Sequence, residues 1–206
     1  MDFSLVTAAI VFGAIFFVEL PDKTFIATLV LATRFRPLHV WVGVCLAFFV
    51  QTLVAVSVGG LLAQLPRRPV EAFAALMFLV GGVILLRGAG KADEEEAETE
   101  EEFATKGAAT ATGLKVVAVS FSVLFLAEWG DLSQLLTASM VLRFHEPLSV
   151  FVGAFAALAA VSALGAVIGR ALLARVRLST IRRIGGGVCL LLALVSTLQL
   201  LGVLSA

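Results

Sequence analysis

The sequence predicts an all-α membrane protein with six transmembrane helices arranged as two inverted three-helix repeats. Three observations carry that expectation. The chain is 60% hydrophobic and 15% charged, with a mean hydropathy of +1.06, where an ordinary soluble domain carries about 25% charged residues. The charges are bunched, which leaves apolar runs long enough to cross a bilayer. The few polar groups inside those runs recur in step.

The first span is read at 4–33 and ends at Arg34-Phe35-Arg36-Pro37. The second, 38–63, ends at Pro66-Arg67-Arg68-Pro69, and the third covers 70–88. A polar stretch, 89–112, follows as a cytoplasmic linker; between Asp93 and Glu102 it packs eight acids into ten residues. Such blocks are usually solvated, although gathering or sensing cytoplasmic cations is the other role it could have. The second half, 113–206, holds spans at 114–143, 148–171 and 183–204, separated by His145-Glu146-Pro147 and by Arg175 to Arg183. Spans one and four are too long. Each would extend about 45 Å as a continuous helix, against a hydrocarbon core of about 30 Å, so each must tilt, break or project.

The first half, 1–88, reappears in the second. Glu19, Asp22 and Thr24 return as Glu128, Asp131 and Ser133; Thr28 returns as Thr137, and Arg34-Phe35 as Arg143-Phe144. One inserted residue later, Pro37-Leu38, Gly43 and Gly59 return as Pro147-Leu148, Gly153 and Gly169. Three spans is an odd number, so the second half must enter the membrane from the opposite side, an architecture common among secondary transporters. With the N-terminus on one side, that side's loops hold Arg67, Arg68 and Arg143, three basic residues against eleven on the other. The richer side is expected to be cytoplasmic, with both termini facing away from it. Met1 to Leu5 offer no basic n-region, so no cleaved signal peptide is expected.

Of the acids, only Glu19, Asp22, Glu128 and Asp131 lie within spans. A buried carboxylate costs about 2.5 kcal/mol or more. Residues three apart share a helix face, so each pair can point together, and an inverted repeat would bring the pairs face to face. With Thr24, Ser133 and Gln134 they form an oxygen-rich set suited to Ca²⁺ or Mn²⁺. No His or Cys accompanies them, which argues against zinc or copper. Pro21 and Gly130 sit where each helix could be interrupted. Lys23, the single base in a span, is expected to compensate part of the charge. Carboxylates crowded in a dry site hold protons until a cation displaces them, which couples metal movement to H⁺.

These residues resemble the GDT-one family of cation/proton exchangers, whose paired motif is E-x-G-D-K/R-S/T. The resemblance covers nearly the whole chain. It implies six spans, exchange of Mn²⁺ or Ca²⁺ for protons, and ion-handling roles for Glu19, Asp22, Glu128 and Asp131. Its basic and hydroxyl positions correspond to Lys23-Thr24 and Leu132-Ser133. Pro21 replaces the usual Gly, implying a fixed kink, and Leu132 replaces a common base, leaving the second motif more negative.

The expected function is therefore export of a divalent cation from the cytoplasm in exchange for protons, across a bacterial cell membrane. Lipid bilayer, cation and protons are the partners, a homo-oligomer is admitted, and neither a cofactor nor nucleic acid is implied. A small-solute exporter should offer more bases than Lys23, and an intramembrane enzyme would need two acids, not two matched pairs. Cys45 and Cys189 fit no ligand or disulfide spacing. Gln51, Ser57 and Ser162 read as polar contacts to neighbouring helices, with Gln51 also a candidate for the ion path. Gly81-Gly82 and Gly185-Gly186-Gly187 read as close helix contacts. Arg175, Arg177, Arg182 and Arg183 read as topology and lipid-surface charges. His39 and His145 read as interfacial residues or pH sensors.

Overall fold

The structure is a computed structural model that describes residues 3–20, 22–64, 67–91, 113–173 and 178–201. The acidic run from Asp93 to Glu102, Pro21, Pro66, Arg175, Arg177 and the side chain of Lys23 lie outside the described residues. Every regular element among the described residues is helical: α1 (Leu5–Glu19), α2 (Lys23–Arg34), α3 (Pro37–Leu62), α4 (Arg67–Gly88), α5 (Leu114–Ala127), α6 (Leu132–Phe144), α7 (Pro147–Leu173) and α8 (Leu178–Leu200).

The two overlong spans resolve in the same way: each breaks. Helices α1 and α2 meet at 70°, and α5 and α6 at 73°. Both breaks fall at the acidic motifs, where the chain leaves the helix after Glu19 and after Ala127. Ser4 caps α1 by accepting from the Thr7 N–H. Asp131 caps α6 by accepting from the Ser133 N–H, satisfying donors that every helix start leaves orphaned.

By length and composition, α3 and the Pro147–Ile168 part of α7 can each cross a membrane, and each bent pair adds a further crossing if it counts as one span. Among the described residues, α4 contributes the apolar helix Ala75–Gly88; Arg67 and Arg68 begin α4, and Arg182 and Arg183 lie near the start of α8.

The halves pack crosswise. Helices α1 and α2 lie on α7, α5 and α6 lie on α3, and α4 lies along α8. At two crossings a glycine lets backbones touch. A Cβ on Gly43 would sit 2.4 Å from the Val117 carbonyl oxygen, and a Cβ on Gly153 would sit 2.4 Å from that of Ala8. Ala8 and Val117 are themselves counterparts in the repeat. Glycines also let α4 and α8 approach: a Cβ on Gly82 would meet Leu190 at 2.8 Å, and one on Gly186 would meet Leu86 at 2.7 Å.

Val11, Ile15, Phe25, Val44, Phe48, Met140 and Val161 are among the buried core. Yet Leu5, Leu38, Leu46, Leu53, Leu61, Leu76, Leu148 and Leu191 are exposed around the outside. A soluble protein rarely displays so extensive an apolar surface. Here helices that satisfy their own backbone present that surface to lipid, and the protein is a helical membrane protein.

Candidate cation site

The two breaks meet inside the bundle. Glu19, Asp22 and Asp131 each offer a carboxylate oxygen, and these three oxygens lie within 4.8 Å of one another. Two come from the end of α1 and the turn after it, and the third from the start of α6, so the group is assembled from both halves. Glu128 stands beside the three, close enough to feel the charges of Asp22, Glu19 and Asp131. Glu19 is 1% exposed and Glu128 4%. Asp22 and Asp131 are half-buried.

Hydroxyls complete the oxygen set. Those of Ser133 and Thr24 lie beside Glu19, and that of Thr24 also faces Glu128. Both oxygens of Glu19, Oγ1 of Thr24 and Oε1 of Glu128 are buried without a hydrogen-bond partner. Buried polar atoms are normally paired, and leaving a charged one unpaired is costly. A cation or shared protons would satisfy such a cluster, whereas a purely structural carboxylate would be expected to have a fixed donor. All donor atoms here are oxygen, the chemistry of hard divalent cations.

The second break has an additional scaffold. Gly130 adopts φ +80, a conformation that glycine reaches without steric cost. Gln134 Nε2 donates to the Glu128 carbonyl at 2.6 Å, while its Oε1 accepts from the Gly130 N–H at a longer 3.4 Å. Gln134, expected among the oxygen donors, is thus engaged with the backbone of the break. From α3, buried Gln51 donates to the Phe125 carbonyl at 3.1 Å. At the first break, the Glu19 carbonyl accepts from the Asp22 N–H at 3.0 Å.

Gln51 bonds a neighbouring helix, as its polarity suggested; Ser57 turns back to the Leu53 carbonyl of its own helix, and Ser162 donates to the Ala159 carbonyl of its own helix while also lying beside Cys45 of α3. Arg143, counted in the sequence as a loop charge, lies half-buried. It donates to the Leu192 carbonyl and to Ser196 Oγ, the latter at 2.6 Å. Its place at the end of a predicted span was the only sequence signal for that role. The repeat adds a smaller match: Thr28 and Thr137 each donate back to the carbonyl one turn earlier, those of Thr24 and Ser133.

Comparison with known proteins places the chain in a family. The family model described as divalent cation/proton antiporter GDT1 matches residues 7–93 and 116–202. Protein PAM71, chloroplastic, of Arabidopsis thaliana is 34% identical over 92% of the chain and 56% of its own length. A GDT1-like protein of Synechocystis sp. is 30% identical over 86% of the chain and 90% of its own length. GDT1-like protein 1, chloroplastic, of Oryza sativa subsp. indica is 31% identical over 92% of the chain. The chain spans a little over half the length of the two chloroplastic relatives and nearly all of the Synechocystis one. No solved structure matches. The chain belongs to the GDT1 family, a family of transporters and not of enzymes.

Proposed function

Proceeding from that membership, we propose that the chain is a secondary transporter that exchanges Mn²⁺ or Ca²⁺ for protons and moves the metal out of the cytoplasm. The observation that carries the reading is the meeting of Glu19, Asp22 and Asp131 within 4.8 Å, with buried Glu128 beside them. In this reading Glu19, Asp22, Glu128 and Asp131 bind the metal and carry the protons. Thr24 and Ser133 supply neutral oxygens, and Lys23 offsets part of the negative charge.

The scaffold is read as six crossings in two inverted repeats, 1–88 and 113–206, joined by an acidic cytoplasmic linker at 89–112. The crosswise packing of α1 on α7 and α5 on α3 supports the two-repeat reading, and so does the match of the family model in two blocks. The excess of Arg and Lys on one side supports both termini lying on the non-cytoplasmic face; in this reading the cell membrane is the setting and export the direction.

Coupling follows from electrostatics. Four carboxylates in a dry space cannot all remain charged without a counter-ion. A divalent cation displaces their protons on one side, and protons return when it leaves on the other. Purified protein in vesicles should therefore drive radiolabelled Mn²⁺ or Ca²⁺ uptake when a pH gradient is imposed. Acidifying the side from which the metal binds should raise the apparent KM, because protons occupy the same oxygens. Absence of gradient-driven flux of both ions would defeat the reading.

A further inference from the structure

We propose that Gln51 and Gln134 are positioning residues: their side-chain amides hold the second break open at a fixed shape, so that Glu128 and Asp131 are presented to the cation without either glutamine touching it. The inference rests on the cation-exchange reading for its functional consequence only. The structural claim stands on the hydrogen bonds.

A helix that stops inside a membrane leaves its last carbonyls without partners, and no water is at hand in the hydrocarbon region to satisfy them. Helix α5 ends this way. The Leu124 carbonyl accepts from the Glu128 N–H, but the next carbonyl, that of Phe125, takes its donor from Gln51 on a different helix. The Glu128 carbonyl accepts from the Asp131 N–H at 3.3 Å, as the Glu19 carbonyl does from Asp22, and takes a second, shorter bond from Gln134, six residues onward across the break. Gln134 uses its other end as well, accepting from the Gly130 N–H. One carboxamide thus bridges both sides of a turn that contains the positive-φ glycine. Gln51 is 2% exposed, so its amide has little recourse to solvent if that bond is lost.

Among the described residues, the first break shows neither device. By the spacing of the repeat, the counterpart of Gln134 is Phe25 and that of Gln51 is Val161, neither of which can donate a hydrogen bond. Both are buried, at 1% and 0% exposure. Among the described residues, the Phe16 and Glu19 carbonyls at the end of α1 accept from backbone N–H groups, those of Leu20 and Asp22.

The chemistry of glutamine separates this role from ligation. Gln134→Glu keeps an oxygen, adds charge and removes the N–H donor; Gln134→Leu removes both the oxygen and the donor. If Gln134 were a ligand, the glutamate variant would hold Mn²⁺ as well as the wild type or better. As a positioning residue, both variants should raise the apparent KM for Mn²⁺ by about tenfold, the lower end of what loss of a ligand-orienting group costs. Gln51→Glu and Gln51→Leu should do the same.

The second readout does not depend on transport. In hydrogen–deuterium exchange of the purified full chain, the Gly130 and Asp131 amides should exchange at least tenfold faster in Gln134→Leu and Gln51→Leu than in the wild type. The helix amides of α3 should keep wild-type rates, showing that the protein is folded. A Gln134→Glu KM at or below the wild-type value, or exchange at 130–131 unchanged in both leucine variants, overturns the proposal. If the wild type carries neither Mn²⁺ nor Ca²⁺ while exchange responds as described, the transport reading fails and the positioning role stands.

Discussion

The two acidic breaks carry the same pair of acids but are built differently. The first ends α1 on Glu19, both of whose carboxylate oxygens are buried without a partner, and continues through Leu20 in ordinary right-handed geometry at φ −57. The second turns through Gly130 at φ +80, caps α6 with Asp131 and is tied by Gln134 and Gln51. The carboxylates recur in register along the chain, while the described support around each break differs. Functional groups in a repeat can therefore be matched from one half to the other, but their supports cannot.

The largest expected effect tests which acids form the core of the site. Glu19→Gln and Asp131→Asn each remove a member of the group within 4.8 Å and should reduce gradient-driven flux roughly 100-fold, a loss of about 2.7 kcal/mol in the transition state for transport. Glu128→Gln should cost less, roughly tenfold on the same scale, because Glu128 stands beside that group. Equal losses in all three, measured as radiotracer uptake into vesicles, would dissolve the distinction and make the four acids one equivalent set.

The next effect concerns what the halves share. Gly43→Ala and Gly153→Ala each drive a Cβ to 2.4 Å from a carbonyl oxygen on the facing helix, so each should destabilise by about 1–3 kcal/mol. Thermal unfolding in detergent should show similar losses. A clear difference would mean that the two crossings are not equivalent despite their matched register.

Gly130→Ala probes what they do not share. Nothing lies within 4 Å of the added methyl, so the cost is the positive φ alone, about 1–2 kcal/mol. Leu20→Ala, at the first break, should show no such backbone penalty, because any L-residue adopts its geometry. The smallest effect belongs to Gly60→Ala. It lies inside α3 with open space around it, and replacing a mid-helix glycine there should raise stability by up to about 1 kcal/mol.

Much of this was legible in the chain. Apolar runs, their excessive length at the first and fourth positions, and the recurrence of Glu19 and Asp22 as Glu128 and Asp131 all follow from local chemistry. Hydrophobic length is set by bilayer thickness, and carboxylates inside such runs are too costly to be incidental. The breaks were also foreseeable, since a helix of about 45 Å must depart from a simple crossing.

The sequence by itself therefore determined that the protein is helical and membrane-embedded, and which four acids stand apart. Only the tertiary structure decided that Glu19, Asp22 and Asp131 draw closest, that Gln134 faces the backbone, and that Gln51 reaches a carbonyl seventy-four residues away. It also turned Arg143 from a loop charge into a strut on α8. The physical reason is range. Burial cost and helix periodicity act along neighbouring residues and leave a pattern in composition and spacing. A freed carbonyl is satisfied by whichever donor the packing brings within about 3 Å, and the spacing of residues along the chain does not disclose which helix supplies it.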